Sequence, residues 1–414
     1  MTSSLKKFSA YVGLDWASKK HDVCIQTKDS RERKFEIIKH SPEAIDEWLT
    51  HLHSEVEGPI AIAVELSSGP IVYALQKYAY VTVFPIHAAT LARYRQAMFP
   101  SGAKDDPSDA ELALDLMLKY PEKIQPLQPS SKASRTLNLL VEQRRMLVED
   151  KRRHVNRLIN ALKQYYPLPL TMFSHRGSDL FCEFLIKWPT FKQLKRAREN
   201  TIRMFFGQRG GNAVTNTDKR IHAIESAMAL TEDSSIIEPY SLLVVSLCNQ
   251  IQLLNKSIKA FDSEVESIFK QMPDADIFSS LPGTGPCLAP RLLAAFGEDR
   301  NRFLTAQEIQ NYAGLSPVTE RSGNKEWIHW RWQCAKFIRQ TFIEWSAKSV
   351  HQSYWAGLYY EKQRAKGKAH QAAVRALAFK WARIVFRCWQ TRTPYNETKY
   401  LKALRERNSP LLNT

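Results

Sequence analysis

The stretch Ser9–Ala17, SAYVGLDWA, reads as a β-strand that ends on an aspartate, Asp15. Working outward, His21–Thr27 is its antiparallel neighbour after a tight Ser-Lys-Lys turn, and Lys34–Ile38 is a third short strand. A helix over about Pro42–His53 follows, acidic at its start. Ile60–Glu65 (IAIAVE) is a continuous apolar run closed by an acid, which is how a buried strand ends at a functional edge. A helix over Ile71–Tyr78, a strand at Val81–Pro85 and a helix over Ala88–Tyr94 complete the series. Three strands, then alternating helix and strand, then a further helix predict a mixed α/β sheet with helices on its faces.

That further helix begins within Ser101–Leu116, SGAKDDPSDAELALDL. Asp106 and Asp109 are three apart, so both carboxylates emerge from one face of the first turn, with Pro107 suited to the first helical position and Asp106 to the cap. Two neighbouring carboxylates resist joint ionisation unless a cation lies between them, and a hard divalent ion suits them. The element order resembles the ribonuclease-H-like fold. In that fold Asp15 lies on the central first strand, Glu65 ends the fourth, and Asp106 and Asp109 stand on the last helix. Four acids from three elements would bind Mg²⁺ and polarise a phosphodiester. Taken singly, each has a plainer reading as a solvated acid at a strand or helix end.

The 414-residue chain has room for two or three domains and a formal net charge of +17. Residues 1–130 hold 15 Lys/Arg against 17 Asp/Glu, net −2, so the remainder carries +19. The acidic cluster therefore sits in the one part that is not basic, and the rest favours a polyanionic partner. Six cysteines show no CxxC and no paired spacing, which argues against a disulfide framework or zinc site and for reduced cytoplasmic thiols. The N-terminus lacks the apolar run of a signal peptide, and no stretch of about twenty apolar residues exists to span a bilayer.

Pro126 and Pro129 mark a linker, after which Lys132–Gln164 is helical, with an apolar stripe and a basic face including Arg144, Arg145, Arg152 and Arg153. That face suits nucleic-acid contact or a solvated coiled coil equally. Tyr165–Ser234, broken by proline and glycine, predicts an inserted helical unit of no assigned role. Ser241–Met272 is a second long helix, able to pair with the first or with another subunit. Leu281–Ala289 (LPGTGPCLA) is similar to the turn of a helix-hairpin-helix, where Gly283 and Gly285 would let backbone amides approach a phosphate; an ordinary glycine turn is the alternative. Ala313–Lys325 (AGLSPVTERSGNK) predicts a loop of hydroxyls beside Arg321 and Lys325. A serine next to glycine, flanked by cations, has what a phosphodiester-attacking nucleophile needs, although a serine in a polar turn usually has no such role. Glu326–Trp332 (EWIHWRW) adds Arg331 among aromatics, and Arg321–Arg392 carries 15 Lys/Arg against 3 Glu and no Asp.

VGLDWAS, VELSSGP, GAKDDPSDAE, LPGTGPCLAPRLLAAFGEDRNRF and AGLSPVTERSGNKEWIHWRW together resemble the DEDD transposases of bacterial insertion sequences. These are also called bridge-RNA-guided serine recombinases and are related to Piv-type DNA invertases. The resemblance implies a RuvC-like domain at 1–125, a coiled-coil connector with an inserted helical segment at 126–275, and a mainly α transposase domain at 276–414. It implies Mg²⁺ on Asp15, Glu65, Asp106 and Asp109, and Ser322 as nucleophile. It further implies homotetramers acting on donor and target DNA, guided by a bridge RNA from the element, in the bacterial cytoplasm at the nucleoid and with no membrane. The serine of one subunit would join the acids of another. Asp105 competes with Asp106 as ligand, and Ser316 with Ser322 as nucleophile. A RuvC-like endonuclease using water and a non-catalytic nucleic-acid-binding protein are the other readings.

Overall fold

The computed structural model describes residues 5, 7–98, 106–128, 131–208 and 214–412, with the side chains of Asp106, Val214 and Thr215 left aside. The chain divides into two compact units, 1–129 and 130–414.

In the first unit the strands are β1 (Ala10–Trp16), β2 (Lys20–Thr27), β3 (Lys34–Lys39), β4 (Ile60–Val64) and β5 (Val81–Pro85). They form one sheet in the order β3-β2-β1-β4-β5. β1 and β2 are antiparallel, as are β2 and β3, whereas β4 runs parallel to both β1 and β5. The helices are α1 (Pro42–Val56), α2 (Pro70–Leu75), α3 (Ala88–Met98) and α4 (Asp106–Lys119). Period-two alternation sorts the strand residues onto two covered faces. Ala10, Val12, Leu14, Ile60, Ile62 and Val64 pack with Ile45 and Leu49 of α1 and Ile71 of α2. Tyr11, Ala61 and Ala63 face the other way, onto Leu91 of α3 and Ala110, Leu114 and Met117 of α4. With both faces covered, β4 must be apolar throughout, and it is buried along its whole length.

Gly13 sets how closely α4 approaches. A Cβ there would stand 1.9 Å from the Ala110 carbonyl oxygen and 2.7 Å from the Leu114 nitrogen. The helix therefore crosses β1 in direct backbone contact, next to Asp15 in sequence on one side and Asp109 on the other.

In the second unit α5 (Lys132–Tyr165) and α11 (Ser234–Lys270) form an antiparallel intrachain pair, with Arg144 of α5 bonded to Asp262 of α11. α11 begins seven residues before the helix expected from Ser241, taking Pro239 into its second turn. At one end of the pair, Leu158, Leu162, Val244, Leu247 and Ile251 share an aromatic-rich core with α6 (Leu168–Met172), α7 (Asp179–Lys187), α8 (Phe191–Lys195), α9 (Glu199–Gly207) and α10 (Val214–Ser226). At the other end, Leu137, Val141, Val265 and Phe269 join a separate core. Its elements include α12 (Ala275–Ser279), α13 (Gly285–Phe296), α14 (Ala306–Tyr312), α15 (Lys336–Ser349), α16 (Tyr354–Ala365), α17 (His370–Gln390) and α18 (Glu397–Glu406). Trp345, Trp355 and Trp381 lie at its centre, with ring centroids 4.6–4.7 Å apart along the series.

Between α14 and α15 the chain forms β6 (Val318–Ser322) and β7 (Lys325–His329), an antiparallel hairpin instead of the expected loop. Its register pairs Ser322 with Lys325, so the connection is the two residues Gly323 and Asn324. Gly323 has φ +57° and Asn324 is not in the positive-φ region, the pattern of a turn with glycine first, which matches the twist of two strands.

Candidate active site

The acids of the first unit stand on one face of its sheet. Leu14 and Val64 are the last paired residues of β1 and β4, and Asp15 and Glu65 each follow by one position. Alternation puts both on the side of Tyr11, Ala61 and Ala63, the side that α4 covers. Parallel strands end together here, so the carboxyl ends of β1 and β4 present two acids on the face that α4 covers. Asp15 and Glu65 are half-buried. Asp106 opens α4, its side chain lying outside the described residues, as Asp105 does altogether. Among the described residues no group of three His, Cys, Asp or Glu side chains is placed to hold a metal ion.

Asp109 is buried, 3% exposed, and accepts a 2.5 Å bond from Arg95 Nε of α3. Burying a carboxylate is costly without a charged or hydrogen-bonding partner, and Arg95 is that partner here. Further along α4, Glu111 and Asp115 bind Arg33, which precedes β3. Burial pushes the Asp115 carboxyl up, but its bonds to Lys119 and Arg33 outweigh this and hold it below its ordinary value. Two guanidinium groups, Arg95 and Arg33, thus tie α4 to its surroundings, while Lys119 bonds Asp115 within the helix.

Asp22 escaped the sequence reading. It lies directly opposite Asp15 in the β1–β2 register, buried, with Lys20 Nζ at 3.3 Å. Directly paired residues share a face, so Asp22 adds a carboxylate on Asp15's side. The signal was the turn length, which fixes that pairing. Next to it His21 is fully buried, with its Nε2 3.0 Å from His40 Nδ1. Burial and the neighbouring His40 lower its pKa to about 4, against the pull of Asp22.

In the second unit the two candidate serines part company. Ser316 is 8% exposed and its hydroxyl accepts a 2.9 Å bond from Gln307. Ser322 is exposed at the hairpin tip, beside Gly323, at which an added Cβ would meet nothing within 4 Å. Arg321 is paired with Glu326 across the hairpin at 3.0 Å. Lys325, opposite Ser322, is exposed. Arg331 braces the hairpin base instead of facing outward: its Nε donates to the Ser316 carbonyl at 3.1 Å and its Nη2 to Asn311 at 3.3 Å.

The other cations and glycines divide in the same way. Arg144 is bonded to Asp262, Arg145 to Glu142 and Glu149, and Arg153 to Asp150, whereas Arg152 is exposed. Gly283 lies between α12 and α13, where a Cβ would come within 3.1 Å of the Lys348 and Ser349 backbone; its close approach is to α15. Gly285 opens α13, and a Cβ there would meet open space.

Residues 12–167 match a transposase family model of the DEDD type named for IS110, and residues 275–361 match the transposase IS116/IS110/IS902 family. Together they span more than half of the chain. The putative mini-circle transposase for IS117 of Streptomyces coelicolor is 26% identical over 400 residues, covering 94% of this chain and 96% of the relative. A 42 kDa protein of insertion element IS900 from Mycobacterium paratuberculosis is 23% identical, covering 89% and 92%. A 44.8 kDa protein of IS116 from Streptomyces clavuligerus is 27% identical over 66% and 68%. On these matches the chain is a transposase, and it belongs to the IS110/IS116 family of insertion-sequence transposases. Among the described residues no helix is long and apolar enough to cross a membrane.

Proposed function

We propose that this transposase breaks and rejoins DNA through Ser322, guided by an RNA from its own element, with the acids of a RuvC-like domain as its metal-binding half. One observation carries the reading: of the two candidate serines, Ser322 alone stands exposed, on a turn that leaves room for a phosphodiester. In the first step the Ser322 Oγ bonds to phosphorus as one P–O ester bond breaks. The serine proton passes to a base, and the departing sugar oxygen takes up a proton. A sugar hydroxyl of another strand then reverses the sequence, displacing the serine, so no external energy source is needed.

The donor set fits a hard divalent cation such as Mg²⁺, because Asp15, Glu65, Asp106 and Asp109 offer only carboxylate oxygens from three elements. When bound, the ion would stabilise the negative charge that builds at phosphorus. Asp22 supports the same face from β2. The assembly we propose is a homotetramer on donor and target DNA in which the serine of one subunit works with the acids of another.

The test incubates the protein, the element's non-coding RNA and labelled donor and target DNA with Mg²⁺, and compares wild type with Ser322→Ala on a denaturing gel. A protein–DNA adduct that requires RNA and vanishes in the variant is expected. Cleavage that persists in Ser322→Ala without an adduct would transfer the chemistry to water and the four acids.

A further inference from the structure

Immediately after β7 lies a cleft of about 330 Å³. Its post is Trp330. The Arg339 guanidinium of α15 lies 4.9 Å from the indole centroid, and the Arg375 guanidinium of α17 lies 4.5 Å from it. Lys336 lines the same cleft from the start of α15 and is exposed. The one acid in the lining, Glu344, is already neutralised, accepting from Arg291 Nη1 at 2.7 Å and Gln340 Nε2 at 2.7 Å. Arg339 Nη1 donates to the Arg331 carbonyl at 3.1 Å, while Arg375 and Lys336 make no hydrogen bond or ion pair with the described residues. Three cations therefore converge with no anion left to answer them. Stacking on an aromatic ring fixes the guanidinium planes in advance, which lowers the entropy lost when they grip a ligand.

We infer that Lys336, Arg339 and Arg375, arranged around Trp330, form a phosphate subsite that holds the DNA strand on which Ser322 acts. This rests on the proposed reaction and adds to it a grip that positions the strand. The hairpin sets the spacing. Four residues of strand separate the Ser322–Lys325 pair at the tip from the Val318–His329 pair at the base. At ~3.3 Å per residue that is roughly 13 Å. Arg339 bonds to Arg331, and Arg331 bonds to the Ser316 carbonyl, so the subsite and the hairpin base are one hydrogen-bonded assembly.

The test measures binding of the full-length protein to a fluorescein-labelled duplex carrying the element's end, by anisotropy over a KCl series. Lys336→Gln/Arg375→Gln is compared with wild type and with Ser322→Ala. Each lost phosphate contact removes ~0.9 from the log–log salt slope, so the double variant should lose about 1.8 and Ser322→Ala nothing. Lys336 is exposed, so Lys336→Gln alone, with an expected loss of about 0.9, keeps the test valid if the double variant misfolds. An unchanged slope in a folded variant, against a steep wild-type slope, overturns the subsite and leaves the serine chemistry standing. A loss of slope seen only with the element's RNA transcript overturns its assignment to DNA. Failure of wild type to bind the duplex even with the element's RNA present removes the proposed reaction together with the subsite.

Discussion

The acid-bearing sheet and the serine hairpin are built on opposite principles. Asp15 and Glu65 end strands whose neighbours are fully buried, and α4 is pressed against β1 until backbones touch at Gly13. Ser322 stands on a two-stranded ribbon whose residues are nearly all exposed. An isolated hairpin is marginally stable in water, so its geometry must be completed by what it meets. Acids that gather around a highly charged ion need a rigid frame, because their mutual repulsion would otherwise spread them. On the proposed reaction, a serine that must meet a phosphodiester of the DNA needs reach more than rigidity. The two regions divide those requirements.

The largest effects should come from removing the groups themselves. Asp15→Asn and Glu65→Gln should each lower strand breakage by about 100-fold or more, the scale of lost transition-state charge stabilisation. Ser322→Ala should abolish the covalent adduct while changing the stability of the folded chain by less than about 0.5 kcal/mol, as for an exposed surface position. Gel assays and thermal melts read both. If Asp15→Asn were fully active, the sheet face would not be catalytic and the comparison would lose one of its sides.

Next in size is the frame. Gly13→Ala drives a methyl into the Ala110 carbonyl, which is backbone and cannot swing away. The expected cost is about 3 kcal/mol, and α4 with Asp109 would be displaced from β1. Urea unfolding measures it, and a loss under about 0.5 kcal/mol would mean that the helix is not seated as described.

The same frame makes the first unit sensitive to acid. His21 has a folded-state pKa of about 4, below the ordinary value of 6.5. The unfolded chain therefore takes up the proton first as pH falls. Its contribution is fully present above pH 6.5 and is lost towards pH 4, amounting to about 2 kcal/mol at pH 5. Melting temperatures of wild type and His21→Leu, taken from pH 7 to 5, should converge as pH falls. Parallel curves would show that His21 carries its proton equally in both states.

How far the sequence could be read follows the same contrast. Every strand of the first sheet was legible, because buried strands leave apolar runs and alternation, and the acids closed those runs. The hairpin read as a loop, since Thr319, Glu320, Arg321 and Lys325 are exposed with no buried face to impose a pattern. Arg95 was missed as the partner of Asp109 because the two lie 14 positions apart on different helices, which no local pattern joins. Arg375 was missed for a similar reason: it meets Trp330 only because α17 packs beside α15. α11 starts seven residues before the expected Ser241, and the helix runs through Pro239.

The smallest effect is the one that separates the two designs most cleanly. Gly323 holds φ +57°, and a Cβ there meets no atom within 4 Å, so Gly323→Ala suffers only the intrinsic left-handed penalty of about 1 kcal/mol. In a frame like that around Gly13, such a penalty would appear in global unfolding. In a hairpin that packs little, it should be paid by local opening, leaving the melting temperature within about 1 °C while the adduct yield falls several-fold. Gly323→Asn tolerates the same backbone better and should retain more adduct than Gly323→Ala. A drop in melting temperature with unaltered adduct formation would place the hairpin in the cooperative core and make it a second rigid frame.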